Sequence, residues 1–164
     1  MKAMERSQSG VFLLEALIGV LVFSIGVLAL VALSSTAVSM QADAQFRAEA
    51  MNLAQRLSSE IWTGVDRTTQ TINGAEMSVV TSSSLELYQH APGGASCVFT
   101  GAASGRQVVL DWKDAVQAAL PGSGNGMQQV SVDAAVNNRT TITICWQAPS
   151  DTKVRQYTLV TYVN

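Results

Sequence analysis

From Val11 to Leu33 the chain is apolar at every position except Glu15 and Ser24. A stretch that is apolar all round has no polar face, which marks a membrane span or a buried helix. Ala16 to Leu33 is 18 residues, and at 1.5 Å per residue it covers about 27 Å, close to the roughly 30 Å of bilayer hydrocarbon. Val11 to Leu14 extend it further. Beyond Leu33 the pattern changes. Phe46, Ala50, Leu53, Leu57 and Ile61 recur every three or four residues, while Arg47, Glu49, Gln55, Arg56 and Glu60 take the other faces. That is one apolar stripe on a helix. The first proline is Pro92, so the pattern predicts an unbroken helix from about Val11 to Thr63, roughly 80 Å long, with Gly64 as its stop.

The remainder reads as a small α+β domain. Ile72 to Val80 and Leu85 to Tyr88 are expected to be short strands, and His90 to Ser96 a turn-rich loop. Val109, Trp112, Val116 and Leu120 share a helical spacing, so Arg106 to Leu120 is expected to be a helix ending at Pro121-Gly122. The glycine-rich run that follows, GSGNGM, comes after a helix instead of opening one, which is the wrong geometry for cradling phosphate. Val130, Val132, Ala134 and Val136 alternate with polar or small residues. Ile142, Ile144 and Trp146 do the same, and Tyr157, Leu159, Thr161 and Val163 follow. With turns at Asn137-Asn138 and Pro149 to Lys153, this predicts a three-stranded antiparallel meander. Its apolar face is expected to lie against the long helix.

Charge sharpens the picture at the front end. Between Arg6 and Asp43 the only charged residue is Glu15. A charged side chain within a membrane span costs about 2.5–3.5 kcal/mol even on lenient insertion scales. Such a residue needs a reason. Lys2 and Arg6 precede the span and no basic residue follows it closely, which places the N-terminus in the cytoplasm and the bulk of the chain outside. Net charge is −2 with no Lys/Arg cluster, so no nucleic-acid partner is expected. The two cysteines, Cys97 and Cys145, both lie beyond the apolar segment. Export favours one disulfide between them, the alternative being two buried thiols. His90 is the only histidine and is expected to be exposed in its loop. No nucleophilic or metal-binding spacing accompanies it, so neither an enzyme nor a cofactor is expected.

The stretch Ser9-Gly10-Val11-Phe12-Leu13-Leu14-Glu15, after a short basic leader and before an apolar helix, resembles the class III leader junction of type IV prepilins and type II secretion pseudopilins. The resemblance implies a pilin-like α+β fold. It also implies cleavage between Gly10 and Val11 by a membrane prepilin peptidase, followed by N-methylation of Val11. The family usually has phenylalanine at that position; here Phe12 is one place later. Cleavage exposes an α-amine, protonated near neutral pH. In the family the glutamate corresponding to Glu15 is thought to meet that amine on the neighbouring subunit, which makes Glu15 an assembly contact. The domains would be a leader over 1–10, a transmembrane half-helix over 11–33, an amphipathic half-helix over 34–63 and a globular domain over 64–164.

"LLEALIGVLVFSIGVLAL" together with "DWKDAVQAALPG" (Asp111 to Gly122) is similar to the minor pilins called PilV. That similarity implies a low-abundance subunit helping to initiate pilus assembly near the tip, supporting adhesion and twitching motility. Its partners would be other minor and major pilins, bound through the N-terminal helix, and a tip adhesin. It would reside in the inner membrane, with its C-terminal domain periplasmic, before joining the extracellular pilus. A minor pseudopilin of a type II secretion system, or a single-span anchored binding domain, is the alternative.

Overall fold

The computed structural model describes residues 9–149 and 151–164. Most of the expected leader, residues 1–8, and one residue of the Pro149–Lys153 turn lie outside the described residues. In chain order the elements are α1 (Ser9–Gly64), β1 (Arg67–Ile72), β2 (Ala75–Val80), α2 (Ser82–Glu86), β3 (Gly93–Ala95), β4 (Val98–Thr100), α3 (Gln107–Ala119), β5 (Gln128–Asp133), β6 (Arg139–Trp146) and β7 (Arg155–Tyr162). The architecture is the expected α+β: a long apolar N-terminal helix followed by an antiparallel sheet. The chain divides into two compact units, one ending at Asp43 and the other running over Ala44–Asn164.

In the first unit every residue from Val11 to Ser35 is exposed, including large apolar side chains such as Phe12 and Phe23. Among the described residues α1 is the one helix long and apolar enough to cross a membrane.

The second unit has a core organised on the stripe of α1. Ala50, Ala54, Leu57 and Ile61 are fully buried, and Leu53 nearly so. They pack in one cluster with Val109, Trp112 and Val116 of α3 and with Val130, Ile142, Ile144 and Trp146 of the sheet. The Trp112 Nε1–H donates to the Leu53 carbonyl at 3.0 Å, which ties α3 to α1 within the apolar contact. β5, β6 and β7 form the expected meander, with Ile142 opposite both Val130 and Leu159. Asn137 and Asn138 both have positive φ, as expected at that turn.

Sheet parity follows from the ladder ends. Cys145 N–H donates to the Met127 carbonyl on one side of β6, while Val163 N–H reaches the Asn138 carbonyl on the other. Directly opposed residues in an antiparallel ladder alternate between exchanging hydrogen bonds and not. The backbone groups of Gln156, Thr158, Val160 and Tyr162 therefore face outward from β7, and they have no partner among the described residues. The outer side of β5 is partly covered, because His90 exchanges two 2.9 Å backbone hydrogen bonds with Val130.

Cys97 and Cys145 form a disulfide across 48 residues of sequence. Alternation puts Cys145 on the face of β6 opposite Ile144 and Trp146. There it joins Ala91, Cys97 and Phe99 in a second small core. The bridge thus staples the irregular middle of the chain to the outer face of the sheet.

Three local expectations are corrected. Ile72 to Val80 is not one strand: Asn73 and Gly74, both with positive φ, turn the chain between β1 and β2. An Asn-Gly pair takes this two-residue hairpin turn at little steric cost. Leu85 to Tyr88 is not a strand either. Leu85 ends buried in the short α2, and Tyr88 N–H and Gln89 N–H close turns onto Leu85 and Glu86 carbonyls. His90, expected to be exposed, is buried, because its backbone is held against β5.

Two outcomes follow. Leu57→Ala should cost about 2–5 kcal/mol in urea unfolding, the range for a fully buried leucine. Replacing both cysteines by alanine should cost about 2–5 kcal/mol, which reduced-versus-oxidised melts of the unaltered protein should match.

Candidate functional site

The apolar segment holds two polar side chains, and their situations differ. The Ser24 hydroxyl donates to the Val20 carbonyl at 2.7 Å, so it is satisfied within its own helix. Ser34, just beyond the segment, does the same to Leu30 at 2.9 Å. Glu15 is exposed and has no hydrogen-bond or ion-pair partner among the described residues. It is the one polar group of the segment that the helix cannot satisfy itself.

Helix geometry then says what lies near it. Glu15 is one turn after Val11, about 6 Å along the axis and on the same face. Helical side chains lean toward the N-terminus, so the carboxylate is directed back over the turn that Val11 begins. α1 starts at Ser9, which places the Gly10–Val11 bond in its first turn. Gly19 and Gly26 follow Glu15 on that face, and a Cβ at either would meet nothing within 4 Å. The face is open to close approach by another helix.

The insertion balance can be gauged. Twelve Leu, Ile, Val and Phe side chains lie between Ala16 and Leu33, and at about 0.3–0.6 kcal/mol each they favour the membrane by roughly 4–7 kcal/mol. That exceeds the cost of one carboxylate placed near the end of the span. Insertion therefore does not require Glu15 to be removed or neutralised, and Glu15 is not needed for insertion.

The other residues considered from sequence have structural surroundings. His90 Nδ1 accepts the Ser104 N–H at 3.2 Å. Ser104 Oγ donates to the Leu87 carbonyl and accepts the Arg106 N–H, so this chain of bonds sets the start of α3. Burial, and secondarily the Lys113 ammonium, hold the His90 pKa below its ordinary value of 6.5. Accepting from Ser104 also requires the neutral ring. Among the described residues no group of His, Cys, Asp and Glu is arranged to hold a metal ion. Spacing along the chain does not single out Ser104, Tyr88 or Arg106, because their contacts depend on where distant loops come to rest.

The chain matches no protein-family model, no curated protein and no solved structure.

A group whose folded pKa is depressed lends stability that is complete above its unfolded pKa and lost as pH falls toward the folded one. Acidification below about pH 6.5 should therefore weaken the fold by up to about 1.4 kcal/mol per pH unit through His90 alone. Denaturation midpoints measured from pH 7.5 to 5.5 should show this slope, and His90→Gln should remove it.

Proposed function

We propose that the protein is a minor pilin, processed by prepilin peptidase and assembled through its N-terminal helix near the tip of a type IV pilus. The observation that carries this reading is Glu15. It is a carboxylate without a partner among the described residues, one helical turn after the Gly10–Val11 junction, at the front of an otherwise apolar span. Two further features support it: an N-terminal helix long and apolar enough to cross a membrane and an α+β domain closed by a disulfide.

Before cleavage the glutamate has no counter-charge in the apolar segment. Cleavage after Gly10 creates an ammonium on Val11, and a cation at a helix N-terminus is doubly unfavourable, since the helix dipole is already positive there. Two unit charges about 4 Å apart attract by roughly 4 kcal/mol at an effective dielectric of 20. This is comparable to the cost of carrying one of them into the bilayer. A neighbouring subunit that brings the two together offsets that cost only when the helices are in one register. Gly19 and Gly26 leave room on the same face for the neighbour to approach. The C-terminal domain, by contrast, offers its surface to other tip subunits and an adhesin. In this reading the protein is not an enzyme, and it occupies the inner membrane with its domain periplasmic until extraction into the filament.

N-terminal sequencing of the mature protein from cells should begin at Val11, with that residue one methyl group heavier than valine. A protein retaining Met1 would instead be a simple membrane-anchored domain, and the proposal would fail. Glu15→Ala should insert into membranes at normal levels but be lost from sheared filaments by at least an order of magnitude. Undiminished incorporation would refute the assembly role.

A further inference from the structure

A cavity of about 460 Å³ lies where α1 ends and α3 begins, lined by Glu60, Thr63, Gly64, Tyr88, Arg106, Gln107 and Val108. Most of its polar side chains are engaged. Thr63 Oγ1 donates to the Ser59 and Glu60 carbonyls, Gln107 Nε2 donates to Asp111 at 2.8 Å, and Glu60 pairs with Arg56 at 3.1 Å.

Three sets of donors are not engaged. Tyr88 is 97% buried, its relative exposure being 3%, yet its hydroxyl has no partner among the described residues. The ring is buried while the hydroxyl itself is not shut off from solvent; it opens toward the cavity that Tyr88 lines. Space in front of it is kept by Gly64, where a Cβ would stand 2.6 Å from the Tyr88 oxygen. The Arg106 guanidinium stacks over the Tyr88 ring at 5.1 Å. It makes only a long 3.7 Å contact, through Nη2, to the exposed Asp66. Its Nη1 has no partner, and its Nε is buried without an acceptor. Finally, α3 has no side-chain cap and no acidic residue in its first turn. The N–H groups of Gln107 and Val108 have no backbone acceptor among the described residues. Orphan N–H groups at a helix start, with the dipole behind them, attract anions.

We infer that this cavity binds a carboxylate group. One carboxylate oxygen would take the Tyr88 hydroxyl and Arg106 Nη1, and the other the amides that open α3. The charged groups that line the cavity or are bonded to its lining are Arg56, Arg106, Glu60, Asp66 and Asp111, which sum to −1. Directed donors hold a monoanion against that balance, and the three carboxylates repel a phosphate dianion more strongly. This site stands apart from the pilin reading, and either can fail without the other.

The test is a titration of the full chain in detergent micelles with sodium acetate, against sodium chloride at equal ionic strength, following the Gln107 and Val108 amide resonances. Acetate should give saturable shifts and chloride none. Tyr88→Phe removes a hydroxyl that makes no bond, so its melting midpoint should be unchanged while apparent affinity falls at least tenfold. Arg106→Gln should lower affinity by at least as much. Saturation by N-acetyl-glutamate amide as well as acetate identifies a protein side chain as a possible source of the group; saturation by acetate alone identifies a free small acid. Absence of saturable shifts, unchanged saturation in both variants, or tighter binding of inorganic phosphate would overturn the assignment.

Discussion

Five positions on one face of α1 have to leave water for the second unit to exist. Ala50, Leu53, Ala54, Leu57 and Ile61 are too small and too few to fold alone, and a helix with such a stripe is marginal in isolation. What makes them sufficient is that α3 and the meander both use the same stripe. Each buried aliphatic side chain is worth about 1.5–3 kcal/mol, and the Trp112 N–H bond to Leu53 adds direction that apolar contact lacks. The sheet has only three long strands, so without that helical surface its inner face would be uncovered. The disulfide acts on the opposite face, where the contacts are fewer and a covalent staple has more effect.

The front of the same helix faces a different problem. Its side chains are apolar in every direction, so no stripe is available to pack against a domain. The polar atoms there divide cleanly: serine hydroxyls turn inward to their own backbone, and the glutamate has nowhere to turn. A group in that position either carries a lasting cost or waits for a partner from outside the chain. This contrast between Ser24 and Glu15, more than apolarity, separates the proposed assembly element from a plain anchor.

Much of this was legible in the order of residues. The stripe on α1 announces itself through spacing of three and four, and the meander through alternation around Ile142 and Ile144. Helix α3 was marked at its end by Leu120-Pro121-Gly122. Elements whose identity depends on distant partners were not legible. Arg67 to Ile72 is largely polar and exposed on both faces, so only Asn73-Gly74 signalled a hairpin. His90 is buried because Val130, forty residues later, receives its backbone. The cavity beside Tyr88 combines residues from the end of α1, a turn and the start of α3. None of the three segments carries a motif, since what they share is vacant hydrogen-bonding capacity. Glu15 was the reverse case: anomalous in sequence, and still without a partner among the described residues.

The outer margin of β7 has a practical consequence. From Arg155 to Tyr162 it carries no proline, lysine or acidic residue, the devices by which natural sheets discourage strangers from joining. Val160 and Tyr162 are about half exposed beside it. An extended polypeptide can continue the sheet there by pairing with the outward backbone groups of Gln156, Thr158, Val160 and Tyr162, whereas the opposite margin, at β5, is partly covered by His90. A lysine in place of Thr158 would put a solvated charge in the middle of that margin, leaving the β6 ladder intact.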